Sequence, residues 1–356
     1  MLQVSVIGGG SWGTTIAKVI QDNFKNRSIS GKTFLWVYPE VVNGVDLSES
    51  INSTRINSKY LPEIVLPEGV TATSKMSDAV KDADILVFAV PHEFLDGILG
   101  SIISDKGAVV KKECIAVTLA KGLFFEEEKM ELISARIKRM LGVEVCTLMG
   151  ANIAGDVANG LFSECTLGYE NESIKKTVVD VFNSKHFRVA AVKDHGAVEV
   201  CGALKNVVAV GCGIVAGQQQ GVNTIAAVIR NGLLEMVRFC RKFVKSPDNL
   251  AENDETIPRV FFESCGVADL IVTCSSGRNY KYSKLASEKG ISIGRIEKEE
   301  MNGQKLQGYS TIKDLLAFIK GNGVEKEFPF FVAICNSATS DLSAERIVDA
   351  IRESPQ

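Results

Sequence analysis

The chain has 356 residues, 46% of them hydrophobic and 23% charged, with a formal net charge of -3. A single hydrophobic core stops growing at roughly 250 to 300 residues, so two domains are expected, and the charge balance offers no basic surface for nucleic acid. Nine cysteines without CxxC spacing read as thiols of a reducing compartment, the cytoplasm, and neither as a disulfide framework nor as a metal site. No leader-like basic and apolar segment opens the chain. The longest apolar stretch, 207–216, falls short of the roughly 20 residues of a membrane span, so a membrane is not an expected partner either.

Residues 1–13 read MLQVSVIGGGSWG. The run 3–7 predicts a strand. Three glycines directly after it imply a tight turn or close approach to a ligand, because glycine is costly inside regular structure. SWGTTIAKVIQDNF (11–24) repeats Ile16, Ile20 and Phe24 at helical spacing, and TFLWVY (33–38) predicts a second strand. Apolar runs at 83–91, 113–122, 145–152 and 165–170 continue the series, separated by helical or polar stretches such as 126–141, and FRVAAVK closes it at Lys193. Such alternation predicts a largely parallel sheet with helices on both faces, since parallel strands need crossover connections. From Asp194 the pattern changes: 195–217 and 222–244 are long, rich in Ala and Val, and helical in period. The expected fold is α/β, with a Rossmann-like doubly wound sheet over 1–193 followed by a mainly helical domain over 194–356. The polar, acidic, proline-bounded stretch 246–258 reads as a surface loop.

Gly8-x-Gly10-x-x-Gly13 lies between a predicted strand and a predicted helix, the setting in which this short motif carries weight. Gly8 permits the turn, Gly10 lets the backbone approach a pyrophosphate at the helix N-terminus, and Gly13 lets helix and strand pack closely. A tight turn with no ligand is the competing reading. The second strand ends Trp36-Val37-Tyr38-Pro39-Glu40. An aromatic against the adenine, Glu40 near the ribose and no arginine for a 2′-phosphate favour NAD over NADP.

Several charged residues stand where apolar ones are the rule. Lys205 interrupts an apolar helix whose neighbours at helical spacing are Cys201, Ala209 and Cys212. It is either functional or snorkels at the helix margin. Lys121 follows a strand, at the end where open parallel sheets bind ligands, or is an ordinary loop lysine. Asp269, the only acid in GVADLIVTC, needs a buried partner or an exposed helix face. Arg278 and Asn279, just past Gly277, suit an anion, although a surface arginine is the commoner reading. His92 in VPHEF is either a base or a structural hydrogen-bonder.

GGGSWGTTIAK, AVPHEFL, LAKGL, LMGANIA, EVCGALKNVVAVG, ESCGVADLIVTC, GRN and NGQKLQG follow one another over residues 8–308. With them the chain resembles the NAD-dependent glycerol-3-phosphate dehydrogenases of the eukaryotic cytosol. The resemblance implies a homodimer that reversibly transfers hydride from NADH to dihydroxyacetone phosphate, giving sn-glycerol 3-phosphate. It implies Lys205 as proton donor and acceptor, Asp269 as its charged neighbour and Lys121 as a second cation near the substrate oxygen. Arg278 and Asn279 match the pair that holds the substrate phosphate, with Asn206 and Thr273 lining the same pocket. For the cofactor it implies Gly8, Gly9, Gly10, Ser11, Trp12 and Gly13, the aromatics Tyr38 and Phe94, Lys121, Asn152, Ala154 and Arg278, and Lys305 and Gln307 in a segment that folds over it. Gly9, Ser11 and the longer acidic loop 246–258 depart from the family pattern without touching its other motif residues.

The chemistry agrees, because hydride delivery to a ketone leaves a developing alkoxide that needs positive charge and a proton together. No metal is required. Two rivals remain: a hydroxy-acid reductase of similar layout, which needs a carboxylate site, and a non-catalytic dinucleotide sensor, which has no use for Lys205, Asp269 and Lys121.

Overall fold

The computed structural model describes residues 1–126, 128–244, 257–301 and 304–353; residues 246–256 of the predicted acidic loop lie outside these. The chain divides into two compact units, Met1–Lys121 with Ile133–His195, and Gly122–Leu132 with Gly196–Gln356.

The first unit is built on eight strands: β1 (Leu2–Ile7), β2 (Gly31–Trp36), β3 (Val70–Thr73), β4 (Ile85–Phe88), β5 (Ile115–Thr118), β6 (Glu144–Met149), β7 (Ser163–Gly168) and β8 (Phe187–Val192). Their order across the sheet is 8-7-6-5-4-1-2-3, so six strands take the 3-2-1-4-5-6 order of a doubly wound dinucleotide fold. All pairings are parallel except β6 with β7. The strands were readable because both faces are covered: every residue of β4 and β5 is buried. The polar residues of β1 are buried too. Ser5 Oγ donates to Ala79 O at 2.6 Å and Gln3 Nε2 to Lys81 O at 2.7 Å, which removes the cost of desolvating them. The first helix, α1 (Ser11–Asn26), lays Ile16, Ile20 and Phe24 into a core shared with Val4, Val87, Val117 and Leu148. All nine cysteines are buried thiols. Burial pushes those of Cys114 and Cys146 up to about 12, which leaves little reactive thiolate.

Two features were not anticipated. Between β2 and β3 the chain forms two short antiparallel pairs, Val41–Val42 with Val45–Asp46 and Ile56–Asn57 with Leu61–Val65, flanking a helix at Leu47–Thr54. The stretch 126–141 is not uniform: Lys129–Glu131 pairs with Phe124–Glu126 in a hairpin, and helix begins only at Ile133. The hairpin belongs to the second unit, where Phe125 packs on Phe318 with ring centroids 5.0 Å apart.

The second unit is helical, as expected. Its centre is α2 (His195–Gly217), buried from Gly196 to Val215. By length and composition α2 could cross a membrane, but 89% of its most apolar stretch is buried inside the protein. Beside it run α3 (Val222–Phe243), α4 (Asp269–Ser276), α5 (Arg278–Lys289), α6 (Gln307–Gly321) and α7 (Pro329–Thr339). Phe239 and Phe243 of α3 pack on Phe318 and Phe328 in an aromatic cluster.

Glu235 of α3 caps α7. Its carboxylate, 3% exposed, accepts from Phe330 N at 2.8 Å and Phe331 N at 2.6 Å. Burial raises its pKa from 4.5 to about 7, outweighing the two backbone bonds and the charge of Arg238. A carboxyl with a raised folded-state pKa contributes fully below its unfolded value and loses that contribution as pH climbs through the folded value. Stability should therefore decline between pH 4.5 and about 7, by an amount on the order of 3 kcal/mol. The urea midpoint followed from pH 5 to pH 8 should fall in the parent and flatten in Glu235→Gln. An equal slope in both proteins would remove Glu235 as the cause.

Candidate active site

The first unit carries a cradle at the C-terminal ends of its strands. Directly after β1, Gly8 takes φ +121°, and a Cβ there would lie 2.7 Å from Ala89 O. A Cβ on Gly9 would meet Val37 Cγ1 at 2.4 Å, and one on Gly13 would meet Gly8 O at 1.8 Å. Packing alone therefore demands three of the glycines. Gly10 differs: a Cβ on it would meet no protein atom within 4 Å, so its bareness suits a group that approaches from outside the chain. Gly10 is also the N-cap of α1 and gives it no side-chain cap bond. The first-turn N–H groups, which have no partner inside the helix, are left for an anion. The loop stands where β1 and β4 diverge to opposite halves of the sheet, the position at which open α/β sheets bind ligands. The cradle fits a dinucleotide.

The other residues expected around it are placed as follows. Tyr38, beyond β2, is 71% exposed and Phe94, beyond β4, is 59% exposed; both rings face solvent with little covering them. Glu40 is ion-paired with Lys59. Ser11 Oγ donates to Tyr60 O at 2.6 Å, and Trp12 turns its ring toward Phe187, 6.3 Å away. Lys121, just past β5, brings Nζ to 3.5 Å from Gly150 O. Asn152 Nδ2 donates to Glu164 O at 2.9 Å, and Ala154 O accepts from Thr15 Oγ1 at 3.1 Å. His92 opens the single turn His92–Phe94 after β4.

In the second unit the singled-out residues meet around Lys205. Its side chain leaves the middle of α2 and remains inside: Nζ donates to Asp269 Oδ1 at 2.5 Å and to Thr273 Oγ1 at 2.6 Å. Lys205 is 4% exposed and Asp269 3%, so the snorkelling alternative is excluded. Asp269 opens α4 after a wider turn at Ser264–Ala268, where a helix start favours a carboxylate. Thr273, four residues on, lies on the same face. The next residue of α2, Asn206, accepts through Oδ1 from Asn279 Nδ2 at 3.0 Å, and Asn279 Oδ1 accepts from Gly308 N at 3.0 Å. Arg278 and Asn279 are the first two residues of α5, whose N-cap Gly277 supplies no side-chain bond. Arg278 is exposed, and its Nη2 donates to Gln304 Oε1 at 2.9 Å. Lys305 Nζ lies 3.4 Å from Glu297 Oε2, and Gln307 begins α6.

The structure thus joins Lys205, Asp269 and Thr273 in one polar group, and Asn206 and Asn279 in another. Lys121 belongs to the first unit and Lys205 to the second. Among the described residues no three His, Cys, Asp or Glu side chains form a metal-holding group. Sequence reading passed over Asn57, Glu297 and the partner role of Gln304. Gln304 did fall within NGQKLQG, whereas Asn57 sits in a polar stretch with no period to mark it.

Comparison with known proteins gives concordant matches. The family model for the N-terminus of NAD-dependent glycerol-3-phosphate dehydrogenase matches residues 3–175, and that for its C-terminus matches 194–349. The chain is 42% identical to a cytoplasmic NAD(+) glycerol-3-phosphate dehydrogenase of Drosophila ezoana, covering 100% of this chain and 98% of that protein. It is 40% identical to a glycerol-3-phosphate dehydrogenase 1-like protein of Xenopus tropicalis, with the same coverage. Among solved structures, glycerol-3-phosphate dehydrogenase of Saccharomyces cerevisiae superposes with a TM-score of 0.89 at 36% identity, covering 99% of each chain. That of Plasmodium falciparum gives 0.90 at 32%, covering 100% of this chain and 96% of the other.

Proposed function

The chain belongs to the NAD-dependent glycerol-3-phosphate dehydrogenases, and within that activity we propose that Lys205 gives and takes the proton at the substrate oxygen. One observation carries the assignment: a lysine inside an apolar helix keeps its ammonium buried, held by Asp269 and Thr273. Burying a charge is costly unless it is paired, and a purely structural position in α2 would be filled by an apolar residue at no such cost. When bound, NADH supplies the hydride. Asp269 and Thr273 fix the direction of Nζ, so the proton is presented at a set point; positioning of this kind contributes to rate without new chemistry. Dihydroxyacetone phosphate and sn-glycerol 3-phosphate are the substrates proposed, with Lys121 as the second cation near the reacting oxygen. The glycine loop, Tyr38, Phe94, Asn152, Ala154, Lys305 and Gln307 are assigned to the dinucleotide. Action in the cytoplasm is proposed on the names of the Drosophila relatives, and a homodimer on the family resemblance.

Arg278 and Asn279 are assigned to the substrate phosphate, supported by the uncapped start of α5, where N–H groups and the helix dipole favour an anion. Arg278→Ala should lower kcat/KM for dihydroxyacetone phosphate about tenfold to hundredfold, the worth of one hydrogen bond to a charged group. Unphosphorylated dihydroxyacetone should be used almost as well as by the parent. Equal losses on both substrates would remove Arg278 from the phosphate, and a parent that oxidises no NADH with dihydroxyacetone phosphate would overturn the reaction itself.

A further inference from the structure

The glycine loop is held from a segment that no motif marks. Asn57 ends the short pairing of Ile56–Asn57 with Leu61–Val65 and is fully buried. Both hydrogens of its amide go to the loop region: Nδ2 donates to Gly9 O at 2.8 Å and to Thr14 Oγ1 at 2.8 Å. Thr14 Oγ1 in turn donates to Gly9 O at 3.2 Å, and Asn57 Oδ1 accepts from Tyr60 N at 3.2 Å. Gly9 O therefore receives two donors, which saturates its lone pairs.

A trans peptide points its C=O and its N–H in opposite directions. Fixing Gly9 O toward Asn57 thus fixes the N–H of Gly10 away from it, ahead of the first turn of α1. Without that clamp, two adjoining glycines could rotate the peptide and bring a carbonyl oxygen to the face where an anion is to sit. The same segment reaches the neighbouring parts of the cradle. Tyr60 O accepts from Ser11 Oγ, and Lys59 is paired with Glu40 beyond the end of β2.

We propose that Asn57 is a positioning residue for the dinucleotide, acting through Gly9 to set the anion-binding face of the glycine loop. The assignment rests on the reading of that loop as the NAD site.

The test is a fluorescence titration of NADH, with melting temperature, kcat at saturating NADH and KM for dihydroxyacetone phosphate measured alongside. Asn57→Asp keeps the shape and the acceptor for Tyr60 N but sets an oxygen against Gly9 O. Its NADH Kd should rise about tenfold or more, the worth of one or two lost hydrogen bonds. Its kcat at saturating NADH and KM for the second substrate should stay within about twofold. Thr14→Val, which removes half of the clamp, should weaken NADH to a lesser degree and serves if the first variant does not fold. Asn52→Ala is the control. Asn52 bonds the backbone N and O of Ala72, each at 2.8 Å, and so ties the same insertion to β3 without reaching the loop. It should lower the melting temperature and leave NADH Kd unchanged. The assignment is overturned if Asn57→Asp or Thr14→Val binds NADH as the parent does, or if Asn52→Ala weakens NADH equally. A parent that gives no NADH titration overturns the dinucleotide reading and this assignment together.

Discussion

Replacing Lys205 with Met is expected to lower kcat by about 10²- to 10⁴-fold, the usual contribution of a placed general acid. The loss of positive charge beside the developing alkoxide adds to that. Met preserves the length and apolar stem, but it takes the ammonium partner away from Asp269, which is 3% exposed. Breaking one side of a buried ion pair typically costs about 3–5 kcal/mol, so a fall in activity could come from unfolding alone. The double variant Lys205→Met with Asp269→Asn separates the two. An amide needs no counter-charge and can still accept from Thr273, so stability should return while turnover does not. Melting temperature, NADH Kd and kcat measured on parent, single and double variants give the answer. A folded variant that binds NADH normally and turns over within about tenfold of the parent would pass the proton-donor role to Lys121.

The second large effect concerns two glycines of one loop, Gly10 and Gly13, three residues apart in sequence but with opposite surroundings. Gly13→Ala places a Cβ 1.8 Å from a backbone oxygen, and no rotamer relieves that contact. The start of α1 has to move off the end of β1, and overpacking of this kind costs about 1–3 kcal/mol. If the displacement also removes two N–H bonds to a charged group, NADH affinity falls by about 10²- to 10⁴-fold. Melting temperature and NADH binding should both drop. Gly10→Ala adds the same methyl where nothing lies within 4 Å; its melting temperature should match the parent's while NADH binding fails. A Gly10→Ala protein that binds NADH like the parent would show that no phosphate approaches this peptide.

What could be read beforehand follows from where the signal lies. β4 is an uninterrupted apolar run and β5 is apolar up to Thr118 because both faces are buried, and α2 declares itself by length. The Lys205 anomaly was visible because it breaks an apolar face. Its partnership with Asp269 came from the family resemblance alone and not from any pattern in the residues, since 64 positions separate them and only tertiary packing brings them together. The insertion between β2 and β3 was missed because its strands are as short as two residues and Val41 and Val65 point to solvent, leaving no alternation to detect. Asn57 was hidden for a related reason: a polar residue among polar residues gives no hint that it is the buried one. The reversal of β7 and β8 against the other six strands carries no mark in composition, because side-chain period is the same in either direction.

The hairpin Phe124–Glu126 with Lys129–Glu131 bears on how this protein can be taken apart. The chain passes from one unit to the other at residues 121 and 122, returns at 132 and 133, and passes over again at 195 and 196. No single cleavage yields two self-sufficient pieces. A fragment starting at Gly196 would lack Phe125, exposing the side of Phe318 that it covers, and Asn322 would lose the bond its Nδ2 gives Glu128 O at 3.1 Å. The first unit, conversely, carries the hairpin as a loop in which Phe125 lacks its contact with Phe318. A helical unit produced alone should therefore be more stable with residues 122–132 joined back to it, because the stretch that covers Phe318 is threaded through the sequence of the first unit.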